Sequence, residues 1–239
     1  QHVQRGLLPE RIASHPVWRV FGVCAQAAEV GGDFFDVIDL ADGRRVAVIA
    51  DVMGKGMSAA LLAATLRSAL RAHAPAASDP AALLNRVNRQ LAGDLQHLEM
   101  FITAQVVELA ARGGALAYAS AGHCPILQVE PGQAPQWWEE GGLPLGVDAN
   151  ETYEARAMPV SRRACVLLMT DGVLEHEDEA GRELGREGLL ALIGTCASGG
   201  DPAKAGPGLL AALKERSAGR PPRDDCTLVA IGQRPEVAS

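Results

Sequence analysis

Two helical patterns stand back to back in this chain, with strand-like segments on either side and no strand between them. Met57 to His73 (MSAALLAATLRSALRAH) is rich in helix formers and free of Gly and Pro, with Arg67, Ser68 and Arg71 gathered on one side of an otherwise apolar cylinder. Asp79 and Pro80 then read as an N-cap followed by proline at the first helical position, and Leu84, Val87, Leu91 and Leu95 supply the apolar stripe behind them. A chain built from βαβ crossovers must place a strand after each helix. Consecutive helices break that alternation, so the expected class is α+β with an antiparallel sheet.

The flanking segments agree. Val17 to Gln26, Phe34 to Leu40 and Arg45 to Val52 have strand character, the last two parted by Ala41-Asp42-Gly43, a good hairpin turn. After the helices, Met100 to Leu109, Ala115 to Ser120 and Ile126 to Glu130 read as a meander. A Gly/Pro-rich stretch around Gly141-Gly142-Leu143-Pro144 leads to strands expected at Thr152 to Met158 and Cys165 to Thr170. Helices are expected at Arg186 to Ile193 and Leu209 to Arg216, before a closing strand at Cys226 to Ile231. No repeat or low-complexity linker divides residues 13–235, and residues 1–12 read as the end of a linker helix.

Composition removes several function classes. With 239 residues, 48% of them hydrophobic, the chain can bury a sizeable core. A net charge of -7 is the opposite of a nucleic-acid footprint. Cys24, Cys124, Cys165, Cys196 and Cys226 are odd in number and lack CxxC spacing, which argues against a disulfide framework and a zinc site and for small core fillers in a reducing cytoplasm. No apolar run approaches the roughly 20 residues that cross a bilayer, and no signal-peptide pattern is present, so a cytoplasmic domain without membrane contact is expected. The start at Gln1 reads as a piece of a longer polypeptide.

Aspartates mark the edges of the strands: Asp33 in Val30-Gly31-Gly32-Asp33, Asp51 closing VAVIADV, Asp171 closing VLLMTDG, and Asp224-Asp225 opening DDCTLVAI. Singly, each is an ordinary turn former or cap. Together, converging at the ends of apolar strands with few Lys or Arg in the same segments, they would be costly unless divalent cations removed the conflict. Oxygen donors without a His or Cys pattern point to Mg²⁺ or Mn²⁺ rather than zinc.

A rival reading comes from Gly54-Lys55-Gly56-Met57-Ser58-Ala59, which satisfies the G-x-G-x-x-G/A dinucleotide fingerprint and has Asp79 about 20 residues on. That fingerprint needs a strand carrying the acid after its helix, whereas Asp79 precedes another helix. A dinucleotide-binding oxidoreductase is therefore the remote alternative.

Seven motifs in order carry a closer likeness: Leu7-Leu8-Pro9, Val30-Gly31-Gly32-Asp33-Phe34-Phe35-Asp36, Ile49-Ala50-Asp51-Val52-Met53-Gly54-Lys55-Gly56, Ala121-Gly122-His123, Leu143-Pro144-Leu145-Gly146, Thr170-Asp171-Gly172-Val173 and Asp224-Asp225. The chain closely resembles the SpoIIE/RsbU group of bacterial PP2C-like (PPM) serine/threonine phosphatases. The resemblance implies an α-β-β-α sandwich of two antiparallel sheets flanked by helices, with a two-metal site between the sheets at one end. It implies phosphoserine or phosphothreonine on a partner protein as substrate, typically a STAS-domain anti-anti-sigma factor, and a sensor domain upstream in the full-length chain.

Carried over by position, the resemblance makes Asp51 the metal-bridging carboxylate, Asp171 and Asp224 further ligands of one ion, and Asp33 with the Val52 backbone carbonyl ligands of the other. Asp51 and Asp171 are the implied catalytic residues. Two Mn²⁺ or Mg²⁺ ions so held would acidify a bridging water to a hydroxide, aim it at phosphorus and neutralise the phosphoryl oxygens. Asp225 falls to an orienting role. His123, where larger relatives place an aspartate of a third metal site, is either a general acid or a turn histidine with a structural hydrogen bond. The basic phosphate-binding residue of the larger eukaryotic relatives has no evident match before Asp33 in this sequence. Trp137-Trp138 reads as loop packing or a partner patch, and Glu175 to Glu179 as a solvated acidic loop. The alternative from a different class is a catalytically silent relative of the fold that binds its partner without turnover.

Overall fold

The computed structural model describes residues 9, 11–27, 31–139, 141–196 and 201–234, with residues 195 and 196 described by backbone alone. Most of the expected linker segment over 1–12 lies outside these residues, as do Val30 of the second motif and the side chain of Cys196.

One sheet is built from β2 (Phe34–Asp39), β3 (Arg45–Val52), β4 (Ile102–Leu109), β5 (Ala115–Ala121) and β8 (Arg156–Pro159), hydrogen-bonded in that order. The other contains β1 (Trp18–Ala25), β10 (Cys226–Gln233), β9 (Cys165–Met169), β6 (Ile126–Val129) and β7 (Gln136–Trp138), again in spatial order. All the strand pairings are antiparallel. Helices α1 (Met57–His73) and α2 (Pro80–His97) cover the first sheet, and α4 (Gly185–Cys196) and α5 (Pro202–Arg216) cover the second; α3 (Asp171–Leu174) is a single turn after β9.

The period of two along each strand makes the layers. On β3, Val46, Val48, Ala50 and Val52 pack with Ala59, Ala63, Leu66 and Leu70 of α1, while Ala47 and Ile49 join Phe35, Val166, Leu168, Val229 and Ile231 between the sheets. A third cluster joins Leu167, Leu228 and Ala230 to Leu189 of α4 and Leu209 and Leu213 of α5. The result is the expected α-β-β-α sandwich. Asp79 caps α2 by accepting from the Ala82 N–H at 2.8 Å. No βαβ unit surrounds Gly54 to Ala59, so the dinucleotide reading is set aside.

Local expectations differ from the structure in four places. Helix α5 starts at Pro202 instead of Leu209, across Gly206 and Pro207. Asp201 caps it, accepting from the Ala203 N–H at 3.1 Å, and Gly206 lies so close to Phe21 that an added Cβ would fall 2.1 Å from the ring. Packing and a good cap override the breakers. Strand β8 begins at Arg156 instead of Thr152, because Tyr153 is pinned elsewhere, its N–H on Asn85 of α2 at 3.0 Å and its hydroxyl on the Leu143 carbonyl at 3.1 Å. Trp137 and Trp138 form the edge strand β7, Trp138 standing edge-on to Tyr118 at 6.3 Å. In the acidic run, His176 is buried with Nε2 2.9 Å from the Leu213 carbonyl, and Asp178 pairs with Arg182 and Arg216, so that segment is anchored instead of simply solvated.

Candidate metal centre

The same alternation that builds the core delivers the acids. Asp33 has the parity of Phe35, and Asp51 that of Ala47 and Ile49, so both fall at the end of the first sheet on its inward face. From the opposite sheet, Thr170 follows the parity of Val166 and Leu168, and Asp225 that of Thr227, Val229 and Ile231. The Thr170 hydroxyl donates to Asp33 Oδ2 at 2.7 Å and closes the gap between the sheets. Asp33 and Asp225 are buried, Asp51 is partly buried, Asp224 is half exposed and Asp171 is exposed. The acids thus run from the interior to the mouth.

Two glycines let the 31–33 segment come close. A Cβ on Gly31 would fall 1.6 Å from Asp225 Oδ2. On Gly32 it would fall 2.5 Å from the Val52 carbonyl oxygen and 3.4 Å from both Asp51 Oδ1 and the Gly54 carbonyl oxygen. Three oxygens therefore converge on the space beside Gly32, next to Asp33. An all-oxygen donor set that includes the Val52 carbonyl fits the chemistry of a hard divalent cation.

Without such a cation the acids repel. Burial first, and then the charge of Asp51, pushes the Asp33 pKa well above the carboxylate range, against the Thr170 hydroxyl. Burial and the charge of Asp171 raise Asp51 to about 6, opposed by a hydrogen bond with Asp33. Among the described residues no three His, Cys, Asp or Glu side chains already stand as a ready-made ion cage. The acids have protein partners: Asp225 accepts from the Ala27 N–H at 2.8 Å, and Asp171 from the Gly172 N–H at 2.8 Å. Asp224 pairs with Lys55 at 2.9 Å. Lys55 is among the few cations expected in the acid-bearing segments, and the pairing of its ammonium with Asp224 is what the sequence did not show. Asp36, quoted only as part of a motif, is a second residue whose role the sequence did not show. It has the parity of Phe34 and Ile38, turns away from the centre, and lies fully buried against Arg67 and Arg71 of α1.

His123 stands on the inner side of the centre, its Nδ1 2.8 Å from the Thr103 hydroxyl and its backbone N–H donating to Ser120 at 3.2 Å. Burial lowers its pKa to about 4. Cys165 and Cys226 are buried as expected, whereas Cys24 and Cys124 are only partly so. No helix among the described residues is long and apolar enough to cross a membrane.

With that geometry in place, comparison with known proteins is informative. A family model described as Stage II sporulation protein E (SpoIIE) matches residues 41–234. The phosphoserine phosphatase RsbU of Bacillus subtilis is 26% identical over 181 residues, 75% of this chain and 53% of its own length. Protein IcfG of Synechocystis is 24% identical over 219 residues, 81% of this chain and 34% of its own. The chain spans about a third to about half of the length of these curated relatives. Among solved structures, the SiaA-PP2C domain of Pseudomonas aeruginosa matches with a TM-score of 0.82 at 26% identity, covering 98% of this chain and 94% of that one. The RsbU and RsbW domains of Rv1364c from Mycobacterium tuberculosis match with a TM-score of 0.81 at 28% identity, covering 94% and 62%. The sandwich is the PP2C-like architecture of these structures.

Proposed function

The chain belongs to the SpoIIE family, and from that premise we propose that it is a metal-dependent serine/threonine phosphatase acting on phosphoserine or phosphothreonine of a partner protein, with a STAS-domain anti-anti-sigma factor as the expected substrate class. The observation that supports this reading is that Asp33 and Asp51 of one sheet lie near enough to Asp171 and Asp224 of the other for the charges of Asp171 and Asp224 to raise the Asp51 pKa, beside the Val52 and Gly54 carbonyl oxygens that face Gly32. The naming of RsbU as a phosphoserine phosphatase supports it.

Asp51 would bridge two Mn²⁺ or Mg²⁺ ions, with Asp171 and Asp224 on one and Asp33 and the Val52 carbonyl on the other. When bound, such ions supply an acidified water and neutralise charge on the phosphoryl group. The protein's own residues place these groups. Asp225 holds the Ala27 N–H and abuts Gly31, which fixes the segment that presents Asp33, while Thr170 orients the Asp33 carboxylate. Asp171 and Asp224 stand at the mouth, where a phosphoserine side chain arriving from a protein surface can reach them.

The test is hydrolysis of p-nitrophenyl phosphate and of a phosphorylated STAS-domain protein across a Mn²⁺ titration. Activity is expected to require Mn²⁺ or Mg²⁺, to vanish on chelation, and to fall about a hundredfold or more in Asp51→Asn. Turnover undiminished in excess chelator overturns the metal mechanism. A silent partner-binding module is the second reading, favoured by the Lys55 to Asp224 pairing at a position the metal needs. That reading would show binding of the partner protein with no hydrolysis of either substrate at any Mn²⁺ concentration.

A further inference from the structure

Lys55 joins the two acid-bearing loops at the mouth of the centre. Its Nζ lies 2.9 Å from Asp224 Oδ2 and donates to the Arg223 carbonyl at 3.1 Å, so the loop after β3 is tied to the loop entering β10. The backbone is shaped for this. Gly54 and Gly56 flank Lys55 at φ 89 and 82, and nothing lies within 4 Å of a Cβ built on Gly56, so the left-handed conformation and not crowding requires the second glycine. Beside the pair opens a cleft of about 240 Å³ whose charged lining is Lys55 and Arg223 with the acids Glu175, Glu177, Glu183 and Asp224.

The pair is built to break. The Lys55 and Asp224 side chains are 58% and 48% exposed, so water competes with both partners and the bond holds weakly. A divalent cation on Asp224 brings twice the charge of an ammonium and displaces it. The displaced ammonium remains on a short loop at the mouth, where a phosphate dianion must enter, and lysine binds phosphate as a mobile point charge.

We propose that Lys55 is a two-position residue: it neutralises Asp224 before a cation loads, and once the cation takes that carboxylate its ammonium turns to the phosphoryl oxygens of the substrate. This would give the site the phosphate-binding cation for which the resemblance offers no match before Asp33. The second position rests on the phosphatase reading above; the first does not.

The experiment is calorimetry on the whole chain with two probes, Mn²⁺ alone and then inorganic phosphate in saturating Mn²⁺. Lys55→Gln is expected to bind Mn²⁺ about two- to fivefold more tightly and phosphate about three- to tenfold more weakly. Lys55→Arg, which keeps the charge, should stay within about twofold of the parent for both probes. Arg223→Gln removes a neighbouring positive charge that pairs with Glu177 instead of a candidate ligand, and should also change each by less than about twofold. Lys55→Met serves as a second variant should Lys55→Gln not fold.

Equal or weaker Mn²⁺ binding in Lys55→Gln overturns the competition, and unchanged phosphate binding overturns the second position. Equal effects from Arg223→Gln would mean a diffuse field, which also overturns the proposal. Hydrolysis of p-nitrophenyl phosphate by the parent separates the two readings: no turnover with the expected Mn²⁺ result sinks the phosphatase and leaves the competition standing. Turnover without that result does the reverse.

Discussion

Asp51 shows what crowding carboxylates at one end of the sandwich costs the chain that carries them. Burial and the charge of Asp171 hold its pKa at about 6, above the carboxylate range. An acid whose pKa is higher in the folded than in the unfolded state destabilises the fold above that value, and the loss is relieved as the pH falls through about 6 toward the ordinary value. In chelator, Asp51→Asn is therefore expected to stabilise the protein at pH 8 by on the order of 1–3 kcal/mol, with roughly two-thirds of the gain gone near pH ~4.5. Urea denaturation at both pH values measures it. A gain of equal size at both would assign the effect to packing and not to ionisation. The sequence showed which residues are acidic and that they end strands. It did not show that Lys55 faces Asp224, because a lysine two residues from a helix start carries no sign of what lies across a cleft from it.

At the scale of elements, α1 was legible to the residue, since helix formers run without interruption from Met57 to His73. Its docking was not. The gathering of its three polar residues on one side did not show what they meet: Arg71 grips the fully buried Asp36 through two bonds of 2.6 and 2.7 Å and Arg67 adds a third contact at 3.2 Å. Whether a helical arginine meets water or a buried acid depends on the parity of a strand 31 to 35 positions earlier, which no local pattern encodes. The pair also fixes the helix whose first turn follows the loop of Lys55. Arg71→Met is expected to cost about 3 kcal/mol, because it leaves a buried carboxylate underpaired, and Asp36→Asn in the same chain should restore part of that loss. A double-mutant cycle in urea measures the coupling. Strictly additive effects would show that the pair contributes nothing specific to the docking of α1.

For the whole molecule, the order of elements in the sequence determined the class, because two helices in succession cannot belong to a chain of βαβ units. The pairing of β1 with β10 across the length of the chain could not be read locally, nor could the edge strand β7. That long-range pairing brings Asp224 and Asp225 opposite Asp33 and Asp51, so a cation held by the proposed ligands would tie the two sheets together. Binding to the folded state alone stabilises it by RT ln(1 + [L]/Kd), about 2.7 kcal/mol at a hundred times Kd. For a domain of this size that is a rise of about 5–10 °C in Tm. Saturating Mn²⁺ should produce this rise in the parent, and Asp33→Asn from one sheet or Asp171→Asn from the other should each remove most of it, as read by thermal unfolding with and without chelator. A rise that survives both substitutions would place the cation within one sheet's loops, and the convergence of the two sheets would then serve packing instead of metal binding.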